Sequence, residues 1–600
     1  MILTALNSYY DRLVEQGVDD VPPYGFSQEK ISYALVISSD GGLVDVMSLM
    51  DTSGKKPRPK SMLVPQPPKR SVNIDPCFMW DKTGYVLGLT ASEADKDIER
   101  SKKTFAAFKS YHQQWLAESD DEGLIALLLF LDKWNPDRAD ALARIPEEAL
   151  DTNLVFRLDG ERRFLHQRSA AHKVRSRQLN LQGKDKVTCL ITGEEASPAI
   201  LHPTIKGVNG AQSSGASLVS FNLDAFTSYG KKQGNNAPVS DRAAFGYGTA
   251  LNYLLRRDDG NKHRMQIGDS TVVFWAEAET NSGASAAEGL FSILLQPPAP
   301  DDHQETAKLH SVLSKVAKGR PLAEIDPNLN PATRIYVLGL APNASRLSIR
   351  FWQVDSLDVF ARRVAEHFQD LLLEPLPWKS EPAIWRLLSE TVPHREGSKP
   401  KLDDVAPQLA GELARAILTG SRYPQSLLSN LIMRMRADGD VSSLRVALCK
   451  AVLVRDARLS NRQNPDKEIP VSLDVNNMDP GYLLGRLFAS LESVQRAALG
   501  GNVNATIRDR YFGAASATPA SVFPVLLRNA QNHLSKVKKD KPGLANVLEK
   551  QLDEIVAKLE PQLPKSLRME SQGRFAIGYY HQRAEIFKKH EPEIEEGEEQ

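Results

Sequence analysis

The chain has 600 residues, 41% hydrophobic and 25% charged, a globular composition with room for roughly two to four domains. Its 75 basic residues balance 75 acidic ones, so net charge selects no nucleic-acid partner and only local clustering can. Cys77, Cys189 and Cys449 are too scattered for a disulfide framework, no basic-plus-apolar leader opens the sequence, and the runs Leu124–Leu131 and Leu290–Leu295 are too short to span a bilayer; a soluble, cytoplasmic protein with no membrane partner is expected.

In chain order, Leu3, Leu6, Tyr10 and Leu13 predict a helix over 4–15. Ile31–Ile37 and Leu43–Leu49, joined by Asp40-Gly41-Gly42, read as a hairpin. Residues 52–70 are proline-rich and carry Lys55, Lys56, Arg58, Lys60, Lys69 and Arg70 without an acid. That composition excludes a helix or central strand and leaves a solvated linker or a basic arm on nucleic acid. Ile98, Phe105, Phe108, Tyr111, Trp115 and Leu116 predict a helix over 96–118. Leu124–Leu131 predicts a buried helix, and Pro136 and Pro146 bracket another. From Arg157 to Lys186, nine basic residues face three acidic ones. Arg162, Arg163, Arg175 and Arg177 are candidate backbone contacts there, with a solvated helical face as the alternative.

The segment His202–Ser240 is distinctive. Glycines stand at 207, 210, 215, 230 and 234, among amides, hydroxyls and lysines, and Asp224 is its one acid. Glycine lets a backbone approach another surface and turn its N–H groups outward. Asn and Gln pair with base edges, and Lys neutralises phosphate. Lys206, Asn209, Gln212, Ser213, Ser214, Lys231, Lys232, Gln233, Asn235 and Asn236 are therefore candidates for contact with a polyanion. The alternative is two ordinary polar loops around a short strand.

Beyond it, residues 242–257 read as a helix, Thr271–Glu277 as a strand and Asn281–Glu288 as a small-residue loop. Residues 334–341 and 346–352 read as a second hairpin, with Leu347, Ile349 and Phe351 on one face and Ser348, Arg350 and Trp352 on the other. The Arg–Trp face suits nucleotide stacking or an edge pairing with an acid. After Ser356, apolar spacing predicts helices over 358–373, 404–418, 425–436 and 442–455, with Gly420 and Gly439 as C-terminal stops. A polar linker over 460–480 leads to an expected four-helix bundle and an acidic, disordered tail over 591–599. The expected fold is α+β: a mixed domain over 1–355, a helical domain with linker over 356–475, and a bundle over 476–600 carrying Arg508, Arg510, Arg528 and Lys536.

No phosphate-binding Gly-x4-Gly-Lys loop, His-Glu-x-x-His helix or Gly-x-Ser-x-Gly elbow occurs. Cys189-x-x-Thr-Gly is half of a zinc knuckle without its second cysteine pair. No catalytic residues, metal or cofactor are expected, and a nucleic-acid-binding, non-enzymatic role is favoured.

Long words of this sequence carry a resemblance. HPTIKGVNGAQSSGASLVSFN, AFTSYGKKQGNNAPVS, CLITGE, YVLGLAPNASRLSIRFW, GELARAILTG, YLLGRLFASLESVQ, NATIRDRYFGAASATPASVFP and FAIGYYHQR closely resemble, in order, the large subunit of the type I-C CRISPR interference complex (Cascade). The resemblance implies a subunit that tests duplex DNA for a protospacer-adjacent motif, opens it, stabilises the R-loop and supports recruitment of a nuclease-helicase. Its partners would be guide RNA, target DNA, and the backbone, guide-processing and small subunits. It places motif reading and wedging in 206–214 and 231–236, and favours the basic-arm reading of 55–70. The bundle would lie beside small subunits, with Arg508, Arg510, Arg528 and Lys536 toward the displaced strand. An internal start near Met478 would release that bundle as a separate product. The rival reading is a stand-alone RNA-binding or guide-processing protein.

Overall fold

The computed structural model describes residues 2–588 except 19, 54–56, 69, 71–72, 138–143, 182–185, 259, 299–301, 395–399, 402–403, 461–468 and 501–504. Lys55, Lys56, Lys69, most of the segment between Pro136 and Pro146, and the acidic tail lie outside the described residues. Helix makes up about 51% and strand 14%, an α+β fold. The chain divides into two compact units: residues 1–205 with 217–253, and residues 206–216 with 254–600. Among the described residues, no helix is long and apolar enough to cross a membrane.

The first unit is built on a sheet in the order Leu43–Ser48, Tyr33–Ile37, Asn153–Leu158, Trp80–Lys82. The hairpin expected around Asp40-Gly41-Gly42 is present, and Tyr33–Ile37 also pairs in parallel with Asn153–Leu158. Helices Asp95–Leu116 and Glu122–Lys133 supply Phe108, Leu127 and Phe130 to a core with Leu35, Ile37 and Phe156. The proline-rich segment is not simply a solvated linker. Lys60–Pro65 is a strand antiparallel to Phe26–Ile31, because Met62 and Val64 alternate into an apolar cluster with Ile31, Trp80 and Val155.

Four antiparallel strands open the second unit's main chain: Arg264–Ile267, Ser270–Glu277, Arg334–Asn343 and Arg346–Ser356. Phe274 meets Phe291 edge-on at 5.0 Å, and Phe291 meets Phe360 at 5.4 Å, joining sheet to helices. The expected alternation of Leu347, Ile349 and Phe351 breaks at a bulge: Gly339 faces Phe351 while Leu340 faces Ile349. Ile349 is left 48% exposed while Leu347 and Phe351, two residues to either side, are buried, as the extra residue re-aims the strand. Arg350 pairs with Asp269 at 2.7 Å, and Trp352 stacks on Tyr336 at 5.5 Å, so both face partners within the fold.

The loop expected over 281–288 is instead the first half of helix Asn281–Leu295. The Thr280 hydroxyl accepts from Gly283 N at 3.1 Å, and the small residues Ala284 and Ala287 are buried, letting the helix lie close to its neighbours. Helices Leu357–Leu371, Pro407–Thr419, Gln425–Asp438 and Ser443–Leu459 follow the predicted pattern, with Gly420 and Gly439 left-handed at the ends of the middle two. At their centre, buried Asp370 accepts from Arg455 Nε at 2.8 Å and from Arg458 Nη1 at 2.8 Å, while its backbone oxygen accepts from Lys450 Nζ at 3.0 Å.

The C-terminal assembly has five helices among the described residues, not four: Pro480–Leu499, Ile507–Ala517, Pro519–Asp540, Pro542–Val556 and Met569–Phe587. The additional helix is set by a capping box. Thr506 Oγ1 accepts from Asp509 N, and Asp509 Oδ2 accepts from Thr506 N at 2.8 Å. Met478 is 55% exposed, just ahead of the first of these helices.

Buried histidines make both units acid-sensitive. His112 Nε2 accepts from Met79 N at 2.9 Å and its Nδ1–H donates to Phe108 O at 2.8 Å, a fully bonded neutral ring. Burial holds His112, His166 and His581 down at about 4. An unfolded imidazole titrates near 6.5, so between about pH 6.5 and 4 the unfolded chain binds more protons and stability falls as pH drops. The loss approaches roughly 3 kcal/mol per ring at pH 4. Urea midpoints should therefore decline from pH 7 to pH 4.5; a flat profile would show that these rings are not buried and neutral.

Candidate nucleic-acid interface

Residues 206–216 fold with the second unit, and residues 217–253 with the first. The glycine-rich segment thus contributes one loop to each, and the two have different anchors.

In the second unit, Gly207 adopts φ +91, and a Cβ there would lie 2.6 Å from Leu255 O, so a side chain is excluded by both backbone and space. Asn209 N donates to Thr271 Oγ1 at 3.0 Å. The Asn209 side chain, expected to read a base edge, is fully engaged inside the protein. Its Nδ2 donates to Gln266 Oε1 at 2.7 Å, and its Oδ1 accepts from Arg257 Nη2 at 2.9 Å and Arg264 Nη2 at 2.8 Å. Both arginines also donate to Gly207 O, at 3.4 and 3.2 Å. Burial and then the neighbouring Arg257 charge push the Arg264 pKa down. Held this way, the loop exposes Lys206, Gln212, Ser213 and Ser214. A cavity of about 680 Å³ adjoins it, lined by Asn209, Gln266, Gln296, Pro342 and Trp385 among others; Trp385 is 54% exposed.

In the first unit every residue from Asn222 to Gln233 is exposed. Gly234 ends that run: its N donates to Ile200 O at 3.2 Å, and a Cβ would lie 2.0 Å from Ala199 O. Asn236, also expected at a base edge, staples the loop. Its Nδ2 donates to Lys231 O at 3.1 Å and Gln233 O at 2.9 Å, and its Oδ1 accepts from Ser228 N at 2.9 Å. Lys231, Lys232, Gln233 and Asn235 stay exposed. Sequence reasoning passed over Tyr229, which is 97% exposed and left-handed at φ 51. The signal available was an aromatic residue set directly before Gly-Lys-Lys in an otherwise amide-rich stretch. A fully wet tyrosine on left-handed backbone is uncommon.

The remaining candidates divide by burial. Arg58, Lys60 and Arg162 are exposed and have no ion pair among the described residues. Arg163 reaches Glu161 at 3.5 Å and Arg177 reaches Glu118 at 3.2 Å. Arg70 donates from Nη1 to the buried Asp81 carboxylate at 2.9 Å and lies 4.2 Å over the Tyr85 ring. Arg175 is buried rather than surface-facing, its guanidinium bonded to Gly25 O at 3.3 Å and Gln66 O at 3.2 Å, where it ties chain segments together. At the C-terminal end, Arg510, Arg528 and Lys536 are exposed without an ion pair among the described residues; half-buried Arg508 lies 3.6 Å from Asp509.

Among the described residues no three His, Cys, Asp or Glu side chains are grouped to hold a metal ion. The two loops carry outward amides, hydroxyls and lysines. No curated protein matches the chain. A family model described as CRISPR-associated protein (Cas_Csd1) matches residues 6–587, nearly the whole length, and the chain belongs to that CRISPR-associated family.

Proposed function

We propose that the chain is the large subunit of a type I-C CRISPR RNA-guided DNA surveillance complex, a non-catalytic subunit that recognises the protospacer-adjacent motif, aids duplex opening and supports recruitment of a nuclease-helicase. The observation that carries this reading is the pinned loop 206–214, which leaves Gln212, Ser213 and Ser214 exposed while its backbone is fixed by Arg257, Arg264 and Thr271. A glutamine amide both donates and accepts, so it can meet a base pair in either sense. The exposed Tyr229 tip, followed by Lys231 and Lys232, suits a wedge. Stacking on an aromatic ring is worth about 1–3 kcal/mol per base, against roughly 1.4 kcal/mol for each opened step. The two terms are of similar size, so one ring suffices to hold one step open. Arg510, Arg528 and Lys536 then serve the displaced strand. Guide RNA, target DNA and the other complex subunits are its partners.

The test uses the assembled complex with its guide RNA, on duplexes with and without the flanking motif. Gln212→Ala should lose about tenfold in preference for the motif, the scale of one base contact. Tyr229→Ala should weaken binding to closed target and leave a pre-melted target bound as before. Equal motif preference in wild type and Gln212→Ala would overturn the assignment of that loop, and equal loss on closed and melted targets would overturn the wedge.

A further inference from the structure

We propose that Arg257 and Arg264 form a phosphate clamp beneath the 206–214 loop, taking one backbone phosphate of the nucleic acid on which that loop acts. This rests on the functional reading above and adds a site to it. The two guanidiniums converge: each uses Nη2 to reach both Asn209 Oδ1 and Gly207 O, at 2.8–3.4 Å. Two like charges therefore share two neutral oxygens. No carboxylate among the described residues pairs with either, although acids lie close by. Arg256 takes Asp258 at 2.7 Å and Arg350 takes Asp269 at 2.7 Å.

Charge repulsion disfavours such a pair unless an anion joins it. Each guanidinium keeps Nε and Nη1 outside the bonds to the loop, and Arg264 Nε is buried with no partner at all. Arg257 is exposed and Arg264 half-buried, so a phosphate arriving from solvent meets Arg257 first, with the Arg264 charge behind it. The unesterified oxygens of a phosphodiester are the acceptors that guanidinium donors commonly take. A protein carboxylate has the same valence but would come from a neighbouring subunit. Phosphate is favoured because the clamp grips the loop that exposes Gln212, Ser213 and Ser214, a surface suited to nucleic acid. Phosphate contacts fix register without reading sequence. Here the guanidiniums that would hold the phosphate also hold Gly207 and Asn209, so the contact would set the loop's position on the duplex.

The experiment measures binding of the assembled complex to a short duplex with no match to the guide, across about 50–200 mM salt. In Arg257→Gln the slope of log K against log salt should shrink by about 0.9, the loss of one neutralised phosphate. Affinity at low salt should fall roughly five- to tenfold on duplex without the motif, and the salt slope on that duplex is the readout because Arg257 also holds the motif-reading loop. Arg257→Lys should keep the slope and lose part of the affinity. Because Arg257 is exposed, the variant should melt as wild type, and circular dichroism checks this. An unchanged slope overturns the clamp. So does a variant that weakens subunit assembly with the slope intact, the outcome for a partner carboxylate. If the slope is unchanged while Gln212→Ala still loses motif preference, the clamp fails and the functional reading stands. If wild-type complex shows no motif preference and no salt-dependent duplex binding, both fail.

Discussion

Gly485→Ala should destabilise the second unit by about 3 kcal/mol or more, at the upper end of what overpacking costs. Helices Pro480–Leu499 and Met569–Phe587 cross with their backbones nearly touching. A Cβ on Gly485 would lie 2.0 Å from Phe575 O and 2.8 Å from Tyr579 N; one on Gly578 would lie 2.2 Å from Tyr482 O; one on Gly481 would lie 2.5 Å from Ser571 O. The obstructing atoms are main chain and cannot rotate away, so the helices must separate. Separation would loosen the aromatic cluster of Phe488, Phe512, Phe575 and Tyr579, whose rings sit 5.5–5.9 Å apart. Gly578→Ala should act alike. Gly411→Ala is the control: it stands inside helix Pro407–Thr419 with nothing within 4 Å of its Cβ, and should gain roughly 0.5–1 kcal/mol through helix propensity. Denaturant midpoints for the three variants decide the matter. A Gly485→Ala protein as stable as wild type would mean the crossing is wider than described.

The second large effect is expected at Asp370. Its carboxylate is 1% exposed and faces Arg455, whose side chain is wholly buried, together with Arg458. Arg455 also lies 4.1 Å over the Tyr423 ring, and Tyr423 OH bonds His367 Nδ1 at 2.6 Å. Asp370→Asn would leave a guanidinium in the core without its counter-charge, a loss of about 3–5 kcal/mol. Removing both charges should cost less: Asp370→Asn with Arg455→Met should recover a good part of the stability, because the pair's desolvation disappears with it. Guanidinium-chloride melts of the single and double variants measure the difference. A single variant within about 1 kcal/mol of wild type would show that solvent reaches the network.

Apolar spacing carried four of the helices between Leu357 and Leu459, two of which end at a left-handed glycine, and missed the short helix Ile384–Ser389. It failed where composition misleads. Asn-Ser-Gly-Ala-Ser-Ala-Ala suggests a loop when read alone, yet small side chains are what a helix needs to lie close to a sheet. Thr506-Ile-Arg-Asp509 hid a capping box ahead of a helix too short to show a stripe. The strand Lys60–Pro65 was masked by the prolines flanking it, although only the Ser61–Val64 core needed to alternate.

The exposure of the candidate loops was legible in outline. Glycines, amides and lysines marked 206–214 and 231–236, and most of those side chains are exposed. The roles of Asn209 and Asn236 were not legible, since an amide free for a base and an amide bonded to its own fold look alike in one dimension. Asn209 finds Arg257 and Arg264 across 48 and 55 residues of chain, a closure no local pattern announces. Tyr229 was overlooked because aromatics are by default assigned to cores.

The Asn236 staple bears on how the exposed loop of the first unit meets anything at all. Three side-chain bonds and the Gly234–Ile200 link shape the backbone from Ser228 to Asn236 in the isolated chain. Freezing one residue's backbone costs about 1–2 kcal/mol of conformational entropy. For this segment that loss is incurred during folding and is not repeated at each molecular encounter. The backbone beneath Tyr229 and its two lysines arrives already ordered, so any contact made there has only the ordering of exposed side chains to offset.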